Sequence, residues 1–244
     1  MTSREQELKG PFFRARELLR GQIPRVDAHI HTALTDGRGS LEDYVLQARE
    51  LGLHAIAFTE HADDTSTWFE EYVASKDRLQ KLAGPVRVYF AAEVKLIRAD
   101  GALALNPRKI QMLDFVVGVI HRYPDETGNF RPFDTLSPEE AMDMDYRFSL
   151  ALLSNPLMDV LGHLGGLYSF KFGTYDEAKL KALIVAAASR GRVVEINTNP
   201  RYRDAFKPIL DTCLDLDCMV SIGSDAHDPS ELGHAVRFLR DELK

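Results

Sequence analysis

Arg25-Val26-Asp27-Ala28-His29-Ile30-His31 decides the fold of this 244-residue chain. The stretch is a short apolar run closed by two histidines at i, i+2, and in an extended strand that spacing puts both imidazoles on one face. Six more runs of similar character follow: Ala55 to Glu60, Val86 to Val94, Phe115 to His121, Asp159 to Leu164, Val193 to Thr198 and Met219 to Ser224. Apolar runs of this length read as strands buried on both faces. Helix-like stretches lie between them. Leu41, Tyr44, Val45, Ala48 and Leu51 share one face behind Ser40 as N-cap, and Ser137-Pro138-Glu139-Glu140 is a capping box with proline at the first helical position,. Thr174 with Glu177 is a second capping box, opening a helix that ends near Gly191,. Strand-helix alternation implies an α/β fold with a parallel sheet, and the pattern alone admits either an open doubly wound sheet or a closed barrel. With 45% of its residues hydrophobic, the chain can build one sizeable core, so a single domain is expected,.

The positions of metal-binding side chains favour the barrel. His29 and His31 close the first strand, His61 follows the second, Glu93 sits near the end of the third, His121 ends the fourth and His163 the fifth. Asp225 and His227, again at i, i+2, follow the seventh, and Asp36 lies in the loop after His31. Each candidate is C-terminal on its strand, and in a barrel those ends converge on one mouth, where active sites of such barrels are found. One histidine at a strand end is commonly a hydrogen-bonded structural residue, but that reading does not apply independently to six of them. Glu93 follows Ala91-Ala92 in an apolar run, where an unpaired carboxylate is costly and a divalent cation would compensate it,. Asp36, in Thr35-Asp36-Gly37, reads either as a ligand or as a turn residue,. His54 and His234 fall away from the mouth and read as structural. Glu60, beside His61, points to the opposite face of its strand and either supports the ligands from behind or faces a helix.

Asp27-Ala28-His29-Ile30-His31, Thr59-Glu60-His61, the Glu93 strand, Gly118-Val119-Ile120-His121 and Ser224-Asp225-Ala226-His227 occur in the order of the PHP (polymerase and histidinol phosphatase) family, which the chain resembles over roughly residues 25 to 240. An HxH pair alone is shared with amidohydrolases and unrelated sites, whereas the ordered set ending in DxH is specific. The resemblance implies a distorted seven-stranded, TIM-like (β/α)7 barrel, here over residues 24–244. It also implies that His29, His31, Glu93 and Asp225 hold one metal ion, that Glu93 bridges to a second held with His121 and His163, and that Asp36, His61 and His227 hold a third. Imidazole and carboxylate ligands suit zinc, manganese or iron, so the expected cofactors are two or three divalent ions of that group.

The expected chemistry follows from charge. Two neighbouring cations lower the pKa of a bridging water, giving a hydroxide nucleophile, and polarise a phosphate ester for attack. The leaving alkoxide then needs a third metal or a proton donor near His61 or His227, so His61, His227 and Asp225 are the candidate catalytic residues. The expected function is hydrolysis of a small-molecule phosphate monoester, in the manner of a histidinol phosphatase. A phosphodiesterase, a nucleotide phosphatase or a phosphotyrosine phosphatase would keep the same ligands. An amidohydrolase would ordinarily show a lone aspartate on the last strand and often a carbamylated lysine, and a non-catalytic metal-binding module would have lost ligands.

Candidate substrate-binding cations lie just beyond the ligands: Lys95 after Glu93, Arg122 after His121, Lys171 after the fifth strand, and Arg201 and Arg203 after the Asn197-Thr198-Asn199-Pro200 segment. Residues 122 to 136 read as either a lid or a packed loop, and Trp68 as helix packing. Residues 1–23, with Phe12, Phe13, Leu18 and Leu19 among charges, read as an N-terminal helical extension packed on the barrel,. A net charge of −7 argues against an extended nucleic-acid surface,. Cys213 and Cys218 are too few for a disulfide framework and read as structural thiols,. A charged N-terminus and the lack of a long apolar stretch give no signal peptide and no membrane partner, so the cytoplasm is the expected location.

Overall fold

The structure, a computed structural model, describes residues 9–20, 23–125 and 127–243. Its strands are β1 (Phe13–Arg14), β2 (Val26–Ile30), β3 (Ala55–His61), β4 (Arg87–Lys95), β5 (Val116–Val119), β6 (Val160–Leu161), β7 (Val193–Asn197) and β8 (Met219–Gly223). Its helices are α1 (Leu41–Glu50), α2 (Phe69–Ala74), α3 (Lys76–Ala83), α4 (Pro107–Ile110), α5 (Pro138–Ser154), α6 (Gly166–Phe172), α7 (Glu177–Ser189), α8 (Arg203–Leu216) and α9 (His234–Glu242).

One mixed sheet of eight strands runs in the order β1-β8-β7-β6-β5-β4-β3-β2. β2 to β8 are the expected parallel strands, each pairing with its neighbour in sequence. The expected count of seven is corrected by β1, which pairs antiparallel to β8 through Phe13 and Val220. The end strand β8 offers unpaired backbone groups, and the N-terminal segment satisfies some of them. Among its described residues that segment forms a strand and then a 3-10 helix (Ala15–Arg20), with Leu18 buried and Leu19 exposed. Residues 1–8 and 21–22 lie outside the described residues.

The sheet curls into a barrel-like form but is not closed by a ladder. The end strand β2 meets the segment just after β8 at a parallel bridge, Ile30 to Ala226, where the His31 N–H donates to the Ala226 carbonyl at 2.9 Å. Small side chains fill the inside of the curl, among them Ala28, Ala57, Ala91, Val117, Val160 and Val193. Larger apolar clusters lie between sheet and helices, one around α5, α7 and α8 and another around α1 and α3. The Ser40 and Ser137 caps form as expected, both as full capping boxes. α7 is capped by Asp176, whose carboxylate accepts from the Lys179 N–H, so the expected Thr174–Glu177 box is not used. No helix among the described residues is long and apolar enough to cross a membrane.

Candidate metal centre

Strand register sets the site. His61 and Glu93 are neighbours across β3 and β4, which brings His61 Nδ1 within 2.6 Å of Glu93 Oε2. In β2 the ladder to β3 shifts between Asp27 and Ile30, leaving one extra residue at the HxH. The Thr59 hydroxyl bonds both the N–H and the carbonyl of Ile30 there, and such a bulge re-aims the side chains beside it. His29 Nε2 and His31 Nε2 then face each other at 3.0 Å. Asp225 Oδ1 lies 3.3 Å from His31 Nε2, and Glu93 Oε2 lies 3.6 Å from it. On the other side of Glu93, Oε1 is 2.7 Å from His163 Nε2 and 3.3 Å from His121 Nε2. Toward solvent, Asp36 Oδ2 sits 3.3 Å from His61 Nε2 and 3.4 Å from His227 Nε2.

All nine candidate metal ligands therefore meet at one mouth. They fall into three groups, His29-His31-Asp225, Glu93-His121-His163 and His31-Asp36-His61-His227, and within each the donor atoms lie within 4.8 Å of one another. Two of them, His163 and Asp225, adopt φ values of 23° and 56°. Non-glycine residues rarely take that conformation, and when they do it is often at functional sites.

Glu195 is the residue the sequence reading missed. It is buried on β7, and its Oε1 lies 2.5 Å from His29 Nδ1 while its Oε2 accepts from the His163 N–H at 2.6 Å. A carboxylate that accepts here means that His29 Nδ1 carries a proton, which leaves Nε2, facing His31, as the nitrogen that takes either a second proton or a metal ion,. Gly223 makes room for this contact, since a Cβ there would stand 2.5 Å from His29 Cβ and 2.7 Å from Glu195 Oε1. The clue in the sequence was the one used for Glu93, a carboxylate in an apolar run, here Val193-Val194-Glu195-Ile196,. Glu60 resolves toward support from behind: it is buried, accepts from the Thr32 N–H and the Thr35 hydroxyl, and so fixes the loop carrying Asp36.

The electrostatics are those of carboxylates held among imidazoles. Burial alone would raise the Glu93 pKa, but the imidazoles, His121 foremost, hold it well below the usual range. Burial would lower that of His29, yet Glu195 and then Asp225 bring it up to about 10. His31 is pushed down by burial. His31 Nδ1 is buried with no hydrogen-bond partner among the described residues, and Glu93 Oε2, though 2.6 Å from His61 Nδ1, makes no well-aligned hydrogen bond. Facing imidazole nitrogens, unmatched buried acceptors and clustered carboxylates suit divalent cations bound by nitrogen and oxygen.

A cavity of about 350 Å³ opens on these groups. Arg122, Lys171 and Arg201 line it. Of the other expected substrate-binding residues, Lys95 turns to Asp63 at 3.4 Å and Arg203 lines a separate cavity with His234 and Phe238. Tyr202 and Phe170, not anticipated from sequence, also line the main cavity, and Tyr202 stacks on His163 with ring centroids 4.9 Å apart. The 122–136 segment both packs and lines: Tyr123 is buried, while Phe133 faces the cavity. Trp68 packs on Tyr72 and Phe69, and both cysteines are buried free thiols.

A barrel-like α/β sheet carries, at its carboxyl ends, grouped histidines and carboxylates that could hold metal ions,. The PHP domain profile matches residues 27–199, and the chain belongs to that family. A relative named "Probable phosphatase" from Caldicellulosiruptor bescii is 25% identical over 220 residues, covering 85% of this chain and 82% of its own. "Probable phosphatase YcdX" of Shigella dysenteriae is 25% identical over 224 residues, covering 88% of this chain and 83% of its own. The fold is similar to that of histidinol phosphate phosphatase from Lactococcus lactis, solved with zinc, L-histidinol and phosphate, at TM-score 0.70 and 20% identity over 91% of this chain and 94% of that one. The family and the relatives by sequence place the chain among phosphatase-type hydrolases.

Proposed function

We propose that the protein hydrolyses a small-molecule phosphate monoester with two or three divalent zinc, manganese or iron ions held at this mouth. The observation that carries the reading is the convergence of three donor groups on one cavity, with His29 Nε2 and His31 Nε2 facing each other at 3.0 Å. In this reading His29, His31, Glu93 and Asp225 hold one ion, Glu93, His121 and His163 a second, and Asp36, His61 and His227 a third. When bound, the ions supply an acidified water and positive charge for the phosphoryl oxygens.

The chain's own residues do the rest. Glu195 keeps the proton of His29 on Nδ1. Asp225 offers a carboxylate oxygen to orient the attacking water, and Asn199 Nδ2 donates to its other oxygen at 3.3 Å. Arg201, Lys171 and Arg122 give the cavity mouth a positive charge that attracts an anionic substrate,. With two ions held, His61 and His227, more open than His29 and His31, are free to carry a proton to the leaving oxygen; with a third ion held there, they would serve as its ligands instead,. The test is metal analysis of the purified protein followed by assay of its zinc, manganese and iron forms against monoesters, diesters and amides. Metal-dependent phosphate release from monoesters is expected. Protein that binds no metal, or a loaded form that cleaves only amides, would overturn the reading.

A further inference from the structure

The cavity's cations point to the charge of the substrate's other end. Its lining holds three carboxylates, Asp36, Glu93 and Asp225, and all three belong to the metal-ligand groups. Beyond those groups the charged lining residues are Arg122, Lys171 and Arg201. None of these three has a carboxylate within salt-bridge distance among the described residues, whereas Lys76, Lys95 and Lys179 pair with Asp114, Asp63 and Asp143. They are held by aromatic rings instead. Lys171 Nζ and Arg201 Cζ lie 4.8 and 5.4 Å from the centre of one ring, Phe170, with Lys171 also 5.2 Å from that of Phe133. Phe170 itself is 56% exposed, at a mouth where such a ring keeps both cations in place while leaving their donors free,.

Two cations fixed on one ring, with Arg122 over Phe130 as a third, exceed what a single phosphoryl group already facing metal ions requires. An ammonium on the alcohol part would meet three like charges and, among the described residues, no uncommitted lining carboxylate, which disfavours it,. Resting on the phosphomonoesterase reading, the geometry points to a substrate whose alcohol part carries a second anionic group, a carboxylate or a second phosphate, held by Lys171 and Arg201.

The experiment compares four esters of matched length on the metal-loaded protein: n-propyl phosphate, 3-phosphooxypropanoate, propane-1,3-diyl bisphosphate and 3-aminopropyl phosphate. One or both anionic tails should exceed the neutral ester in kcat/KM by about tenfold or more, and the ammonium ester should be poorest. The carboxylate and bisphosphate arms tell the two anions apart. Lys171→Ala and Arg201→Ala, each checked for native circular dichroism, should bring the anionic-to-neutral ratio down by about fivefold or more, with Lys171→Arg restoring much of it. Calorimetry with 3-phosphonopropionate and n-propylphosphonate gives a readout free of turnover, in which the tailed compound should bind more tightly. Equal ratios for all tails, or preference for the ammonium ester, would overturn the inference. Failure to turn over any ester, with the phosphonate preference intact, would defeat the phosphatase reading and leave the charge assignment standing.

Discussion

The deep ligand group and the outer one are built on different principles. His29, His31 and Asp225, with Glu93 beside them, are buried, their side chains at most 8% exposed. They sit on strands or at strand ends and are oriented by a further buried carboxylate, Glu195. Asp36, His61 and His227 have side chains 52%, 37% and 37% exposed, and Asp36 depends on a loop tied down by Glu60. His227 and His61 hold the Asp36 carboxyl well below its usual range. Buried charges are costly unless matched, so the deep group must be balanced by bound cations or by protons on its own imidazoles, whereas water also reaches the outer group. On the proposed metal reading, ions in the deep group should exchange more slowly than one in the outer group.

The largest effect that sharpens this contrast is expected from Glu93→Gln. Glu93 meets His29, His31 and His61 as well as His121 and His163, and its loss unbalances the whole cluster. Phosphate release should fall on the order of a thousandfold, the combined cost of lost metal and lost charge stabilisation. Retention of near-wild-type turnover would show that the groups do not work as one centre. Next comes Glu195→Gln. Both Glu195 oxygens accept, from His29 Nδ1 and from the His163 N–H, but a glutamine has one acceptor and must turn its NH2 toward the other donor. Deep-site metal affinity, read by competition with a chelator, should fall about 10- to 100-fold. Asp36→Ala should cost less, about tenfold in turnover, with the deep ions still resisting the chelator. Equal loss of every metal from that variant would erase the distinction between the groups.

Most of the ligand set was legible because histidines and carboxylates at the ends of apolar runs are chemically out of place, and the i, i+2 spacings of His29-His31 and Asp225-His227 fix which face they share. The seven runs were legible as strands because each is apolar, but their order was not, since the same pattern admits an open sheet, and only the placement of the candidate ligands favoured the barrel. Nor was β1 legible, because two residues carry no period and its pairing depends on what edge β8 offers. Closure through Ile30 and Ala226 was hidden in the same way. Glu195 was overlooked although it stands in as apolar a run as Glu93, since nothing local says that both its oxygens reach residues far away in the chain. Among the cations, Lys95 and Arg203 adjoin ligand segments in sequence yet turn aside, while Lys171 and Arg201 come together only because α6 places Phe170 between them. Proximity to a ligand along the chain does not state the direction of a long side chain.

The smallest expected effect separates the two groups by pH. With the ions removed, the carboxylates are balanced by protons on imidazoles: His29 is brought to about 10 against burial by Glu195 and Asp225, and His61 to about 10 against burial by Asp36 and Glu93. A histidine whose folded pKa lies above its unfolded value of 6.5 contributes stability that is fully present below 6.5 and is lost as pH rises through about 10,. Stripped protein should therefore lose stability from about pH 6.5 to about pH 10,. Metal ligation requires the neutral nitrogen, so loaded protein gains affinity over the same range. The Tm difference between loaded and stripped protein should widen with pH by a few degrees, at about 2–4 °C per kcal/mol for a chain of this size. Asp36→Ala removes one partner of His61 but leaves His29 and Glu195 untouched, so most of the widening should survive in it. A difference that stays flat with pH would mean that the deep imidazoles hold no protons for an ion to displace, and that the deep and outer groups differ in exposure alone.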